Sequence, residues 1–355
     1  MEIATAVYEF LVPKTSSLLK MTLLWLAIFV GYMAAVQGMS PEDVKKHTME
    51  SLSVIPVGDF HHGRDFYKFF FTNYPEVRKF YKGAEEFKAD DVQKSERFDK
   101  LGDAILLFVH VLANTYDNEP VFRAFTRRTM KEHFDRGVDP KYWKLVWPIW
   151  TEFMESKGAK LTKDQKEAWE KLALFSSFSH MAQTIVWIAG LLACFSAGLC
   201  MSPADVKTNT VASLSVAPVG DGHHGRDFYK YFLTTYPDNR RFYKGAENFG
   251  GDDVLKSERF DKLGDAILLF VHVLANTYDN EPVFRAFTRR VMIEHKDRGV
   301  DPALWKIFFN KFWQEFLESK GATLTDDQKS AWDTLGVMFN EESQSALTKM
   351  GLPHA

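Results

Sequence analysis

SERFDKLGDAILLFVHVLANTYDNEPVFRAFTRR spans Ser95–Arg128 and occurs again unchanged at Ser257–Arg290, 162 positions later. Its apolar residues follow a helical period. At 100° per residue, Leu101, Ile105, Phe108 and Leu112 share one narrow arc, because advances of four, seven and eleven residues nearly close whole turns. His110 falls almost opposite that arc and reads as a packed or surface histidine. After a second start at Asn-Glu-Pro, Phe125, Thr129 and His133 follow at intervals of four. An apolar stripe thus runs into a histidine at the helix end. That histidine is either half-buried core or a metal or cofactor ligand, and spacing alone does not choose. The geometry does let its imidazole point between helices toward the Leu101–Ile105 face.

The duplication extends well beyond this stretch. MSPEDVKKHT from Met39 matches MSPADVKTNT from Met201, and the match continues to Ala173 and Gly336 within a residue. Two units are expected, at 39–175 and 201–350. Ser40-Pro41-Glu42-Asp43 carries an N-cap serine with proline in the first turn, and Asp139-Pro140 repeats that start. Thr162 with Gln165, and Thr325 with Gln328, form capping boxes before runs containing Trp169 and Trp332. With helices expected at 59–73, 95–115 and 119–134 and a short turn from Pro75, each unit is all-α, with seven or so helices. Pro148, where the second unit has Asn310, is expected to kink or break a helix in the first unit only.

The chain has 355 residues, enough for two cores, and a formal charge of -3, which gives no general attraction for nucleic acid. Cys194 and Cys200 are the only cysteines, and both lie outside the two units, so no internal disulfide framework or Cys-based metal cluster can be built. Aromatic residues reach 15%, as expected of large apolar cavities or thick helix seams. MTLLWLAIFVGYMAAVQG (21–38) and MAQTIVWIAGLLACFSAGLC (181–200) each begin with Met, lack charge and end in small residues before MSP. Residues 1–38 read as a leader-like hydrophobic segment, although neither stretch has a basic region after its Met. A membrane-spanning or buried helix is the alternative. Residues 176–200 read as an apolar connector, a completion of the last helix, or an internal leader-like segment from two joined coding units.

YKFFFTNYPEVRKFYKG, DDVQKSERFDKLGDAILLFVHVLANTYD and FTRRTMKEHFDRGV together resemble nematode hemoglobins, especially the two-domain extracellular globins of parasitic roundworms. The resemblance covers both units. It implies tandem globin folds, each a 3-over-3 helical sandwich enclosing one heme b, with iron held by His133 and His295. It also implies that Tyr67 and Tyr229 donate a hydrogen bond to bound oxygen. Leu101 and Leu263 take the distal position, with Ile105 and Ile267 a turn later over the pocket. The heme-packing aromatic, six residues after the proline of Tyr-Pro, corresponds to Tyr81 or its neighbour Phe80, and to Tyr243 or Phe242.

Two departures matter chemically. Leucine at 101, where such globins carry Gln or His, can neither donate to oxygen nor bind iron, but it keeps an apolar lid. The tyrosine is then the main donor, and a net hydrogen bond of about 1–2 kcal/mol tightens binding roughly five- to thirtyfold. The competing role for Tyr67 is packing, with its hydroxyl on a backbone carbonyl. Tyrosine in place of the usual phenylalanine at 81 leaves the pocket rim open between 80 and 81. The pairs His61/His62 and His223/His224 diverge by 100° along a helix and are expected at the surface. Arg127 and Arg128 lie either near heme propionates or on a solvated face.

The resemblance implies an oxygen carrier rather than an enzyme: tight reversible oxygen binding for transport, storage or scavenging in an extracellular or body-fluid (pseudocoelomic) compartment. The alternative is nitric oxide oxidation with an external reductase, since no Rossmann glycine fingerprint supplies electrons in the same chain. A further alternative is a heme-binding helical protein that does not cycle oxygen. A homo-oligomer is compatible with all three.

Overall fold

The protein is described here by a computed structural model covering residues 39–58, 60–139, 142–177, 201–220 and 222–355. The leader-like segment at 1–38, and residues 178–200 of the connector, lie outside them. The first domain contains α1 (Pro41–Ser51), α2 (Phe60–Asn73), a 3₁₀ turn over Pro75–Phe80, α3 (Ala89–Gln93), α4 (Glu96–Thr115), α5 (Glu119–Phe134), α6 (Trp143–Ser156) and α7 (Lys163–Ser177). The second repeats the order with α8 (Pro203–Ser213), α9 (Gly222–Thr235), a 3₁₀ turn over Pro237–Phe242, α10 (Gly251–Leu255), α11 (Glu258–Thr277) and α12 (Glu281–His295). It ends with α13 (Ala303–Ile307), a π-helical turn over Phe308–Trp313, α14 (Gln314–Ser319) and α15 (Asp326–Lys349).

Local chemistry sets the helix starts. Ser40 Oγ accepts from Asp43 N at 3.1 Å with Pro41 in the first turn, and Ser202 caps α8 in the same way. Thr162 and Gln165 exchange backbone and side-chain bonds ahead of α7, as do Thr325 and Gln328 ahead of α15. The last helix of each domain is tied to the first by one buried bond. Trp169 Nε1 donates to Ser51 Oγ at 2.9 Å, and Trp332 Nε1 to Ser213 Oγ at 2.9 Å.

The crossing of α2 over α4 depends on two glycines. A Cβ on Gly102 would lie 2.6 Å from the Gly63 carbonyl carbon, and a Cβ on Gly264 only 2.5 Å from Arg226 N. Such backbone contact tolerates no side chain on either helix, so the glycine pair sets how closely the two helices meet.

The break expected at Pro148 does not occur. Helix α6 runs through Pro148 without a break, whereas the second domain, with Asn310, is the irregular one. Trp143 and Trp305 are 162 positions apart, but Trp150 and Trp313 are 163 apart, so the second domain carries one extra residue between them. That residue is absorbed as the π-helical turn over Phe308–Trp313. Proline's φ is itself helical, and in the second turn of α6 it costs one backbone bond near the helix end.

The two domains pack through α4 and α5 of the first against α11 and α12 of the second. Leu107, Val111 and Val121 belong to the same buried cluster as the core of the second domain. Asn118 Nδ2 donates to Asn276 Oδ1 at 3.0 Å, and Asn280 Nδ2 approaches Asn114 Oδ1 at 3.5 Å, the reciprocal pattern of a two-fold contact. Helix α4 is therefore covered by its own domain on one side and by the other domain on the other. This is why every residue from Leu106 to Thr115 is buried, whatever its place on the wheel.

Candidate functional site

Helix α5 carries the stripe Phe125, Thr129, His133. His133 is half-buried at its end, and its Nδ1 is 2.8 Å from Thr129 O. On α12, His295 Nδ1 is 2.8 Å from Val291 O. A main-chain carbonyl only accepts, so Nδ1 carries the proton and Nε2 keeps a lone pair of the kind that binds a Lewis acid. In the second domain that lone pair meets Arg298 Nη1 at 3.3 Å, as an acceptor should. Burial, opposed by the Val291 bond, lowers His295 from its ordinary value and favours the neutral, ligand-competent ring. Trp143 stands edge-on to His133 at 5.0 Å and Trp305 to His295 at 5.3 Å. A cavity of about 170 Å³ adjoins His295 between Met292, Val300, Trp305 and Leu347.

Helix α2 carries Tyr67 into the core of the first domain. The residue is buried, and its ring meets Phe66, Tyr81 and Phe98 edge-on at 5.3–5.7 Å. Tyr67 and Tyr81 are neighbouring buried phenols, ring to ring at 5.7 Å, and Tyr229 and Tyr243 repeat the pair at 5.7 Å. Burial pushes Tyr67 and Tyr229 up to about 12 and drives Tyr81 and Tyr243 further still, so all four phenols stay protonated and remain donors. The group the structure sets beside Tyr67 is a second phenol, that of Tyr81.

Of the two aromatics at the corner, Tyr81 is the one turned inward, packing on Phe71 at 5.1 Å as well as on Tyr67. Phe80 sits at the rim, edge-on to Tyr142 at 5.0 Å with Lys79 over its ring. In the second domain Tyr243 packs on Tyr229, while Phe242 lies under Arg241. Leu101 and Ile105, like Leu263 and Ile267, are half-buried and packed against the cores. The positions named from the sequence lie on α2, the corner after it, α4 and α5 of the first domain, and on α9, its following corner, α11 and α12 of the second, supplying one imidazole and two phenols per domain. That donor set fits heme: a neutral nitrogen ligand, aromatic and aliphatic contacts for a porphyrin, and a buried hydroxyl donor for a small ligand.

Other candidates settle elsewhere. His110 is buried with Nε2 3.0 Å from Ile55 O, and His272 is 2.9 Å from Ala217 O, so each joins α4 or α11 to the corner after the first helix. His61 and His223 are exposed, with Nδ1 of each 2.7 Å from the guanidinium of Arg64 or Arg226, while His62 and His224 are half-buried. The arginines of α5 and α12 lie at the junction of the domains. A Cβ on Gly220 would be 3.5 Å from Arg127 Nη2, and one on Gly58 would be 3.7 Å from Arg289 Nη2. Arg128 bonds Glu132 at 3.3 Å and reaches Glu294 of the second domain at 3.8 Å. Sequence reading missed this junction and the phenol pairing. The repeated asparagines around Asn114 and Asn118 were the available signal for the junction.

Comparison with known proteins agrees with the tandem all-α architecture. The globin family model matches residues 64–181 and 226–342. The cuticular globin isoform of Nippostrongylus brasiliensis is 54% identical over 173 residues, which is 48% of this chain and 100% of that protein. The myoglobin of the same worm is 58% identical, covering 42% of this chain and 99% of its own length. The extracellular globin of Pseudoterranova decipiens is 33% identical over 79% of this chain and 81% of its own length. The single-domain relatives each match about half the chain, and the extracellular globin spans both halves. The chain thus belongs to the globin family, as a nematode-type protein with two tandem globin domains and the general heme-binding function of that family.

Proposed function

We propose that each domain binds one heme b through His133 or His295 and uses it to bind molecular oxygen reversibly and tightly, for transport, storage or scavenging. The heme supplies the iron to which a diatomic ligand attaches. Leu101 and Ile105, with Leu263 and Ile267, form an apolar lid that excludes water. Tyr81 and Tyr243 are the inward packing aromatics, with Phe80 and Phe242 at the rim.

The observation that carries the reading is the buried phenol pair. When Tyr81 donates to Tyr67, the Tyr67 proton is left to point at the ligand, where it stabilises negative charge developing on an oxygen atom. Leucine at 101 offers no second donor, so the affinity rests on the two phenols together. The resemblance to an extracellular globin supports a body-fluid or extracellular setting.

The test is visible absorption of the heme-loaded chain in its ferric, reduced, oxygen and carbon monoxide states, with heme stoichiometry. Two hemes per chain and reversible oxygen spectra are expected, with loss of both in a His133→Ala/His295→Ala variant. Heme binding that survives the double variant refutes the ligand assignment. We assign a carrier role over nitric oxide oxidation. Sustained nitric oxide turnover with an added reductase, faster than autoxidation, would reverse that choice.

A further inference from the structure

The two histidines belong to different domains, yet an unbroken run of ring contacts joins them. From His133 the run passes to Trp143 at 5.0 Å, to Phe108 at 6.3 Å and to Phe125 at 5.9 Å. Phe125 then crosses the domain junction to Phe287, ring to ring at 6.3 Å and 66°. On the far side the contacts continue to Phe270 at 6.4 Å, Phe339 at 5.6 Å and Trp305 at 6.1 Å, and Trp305 meets His295 at 5.3 Å. Every step lies within the range of specific aromatic pairing. Phe108, Phe270, Phe287 and Phe339 are buried.

A second contact runs beside the rings. Arg128 on α5 reaches Glu294, the residue preceding His295, at 3.8 Å. Both histidines also hang on the backbone of the helices that meet here, through Thr129 O and Val291 O.

We infer that the two histidine sites are coupled, a rearrangement at one being transmitted to the other through the Phe125–Phe287 contact. The physical basis is close packing. Closely packed rings cannot yield independently, so a shift of α5 that moves His133 must repack Phe125 against Phe287 or strain the junction. The Phe125–Phe287 step is where the run is narrowest, because among the described residues only this ring pair bridges the domains. The inference rests on reading His133 and His295 as the iron ligands, and the experiment separates the two.

Phe287→Leu is made in the full heme-loaded chain carrying His295→Ala, so that only the first domain keeps its imidazole. The rate of heme transfer from that domain to excess heme-free acceptor globin is then measured. Phe316→Leu, an equally buried change in the second domain but off the run, is the control. Phe287→Leu is expected to change the transfer rate of the other domain about two- to thirtyfold, as packed coupling networks do, with the control within about 1.5-fold. Equal effects from both substitutions, or from neither, overturn the coupling.

Hydrogen exchange of α5 amides near Thr129–His133, in the full chain with both histidines intact, gives a second readout. Phe287→Leu should speed it and Phe316→Leu should not. If His295→Ala leaves two hemes bound, the ligand reading fails, and the α5 exchange still decides the coupling. Phe125→Leu combined with Phe287→Leu should be non-additive in that exchange, and strict additivity counts against a direct contact.

Discussion

Replacing His272 by leucine should flatten the acid side of the stability curve. His272 is 6% exposed and bonds Ala217 O, and burial drives its imidazole from 6.5 down to about 4. A base whose folded value is depressed stabilises the protein fully above its unfolded value, and that stability is lost as pH falls through the window from 6.5 to about 4. At about 1.4 kcal/mol per pH unit of difference, the loss by pH 4 is about 3 kcal/mol. The assay is urea unfolding of the second domain between pH 7.5 and 4, where the stability of the wild type should fall by that amount more than that of the His272→Leu variant. The variant also strands the Ala217 carbonyl, but that cost does not depend on pH and cancels from the slope. His295 titrates in both proteins and cancels too. In the first domain the same measurement at His110 meets Asp103, which burial and Asp99 push up to about 6 and which works in the same window with the opposite sign. Parallel curves for the two proteins would mean that His272 is protonated in the folded state or reached by water, and the linkage argument would fail.

Gly102→Ala or Gly264→Ala should destabilise its domain by about 1–3 kcal/mol or more in urea unfolding, because the new methyl meets backbone that cannot yield. A neutral result would mean that α2 and α4 can separate at little cost. Tyr67→Phe should speed oxygen dissociation from the first domain about five- to thirtyfold in stopped-flow mixing, with Tyr81→Phe giving a smaller change in the same direction. An unchanged rate in Tyr81→Phe would separate the second phenol from ligand binding.

Much of the helical framework was legible from spacing and caps. The runs at Ser95 and Asn118, the Thr162–Gln165 and Thr325–Gln328 boxes and the Ser40-Pro41 start are contacts between residues three or four apart, which a sequence displays directly. His133 was legible as the end of a stripe for the same reason. The irregular helix was misplaced because proline is a conspicuous local signal, whereas one extra residue shows only when Trp143–Trp150 is set against Trp305–Trp313.

By itself, then, the sequence determined the duplication, the all-α class and the residues that could serve as ligand and donor, since periodicity and capping are local. Tertiary structure alone decided that Tyr67 finds Tyr81, that Phe80 turns to the rim and that His110 is tied to Ile55. It also decided that Phe125 meets Phe287 across a domain junction. Each of those pairings joins residues from 14 to more than 160 positions apart, and which of them meet is fixed by how closely the helices cross and which faces they bury.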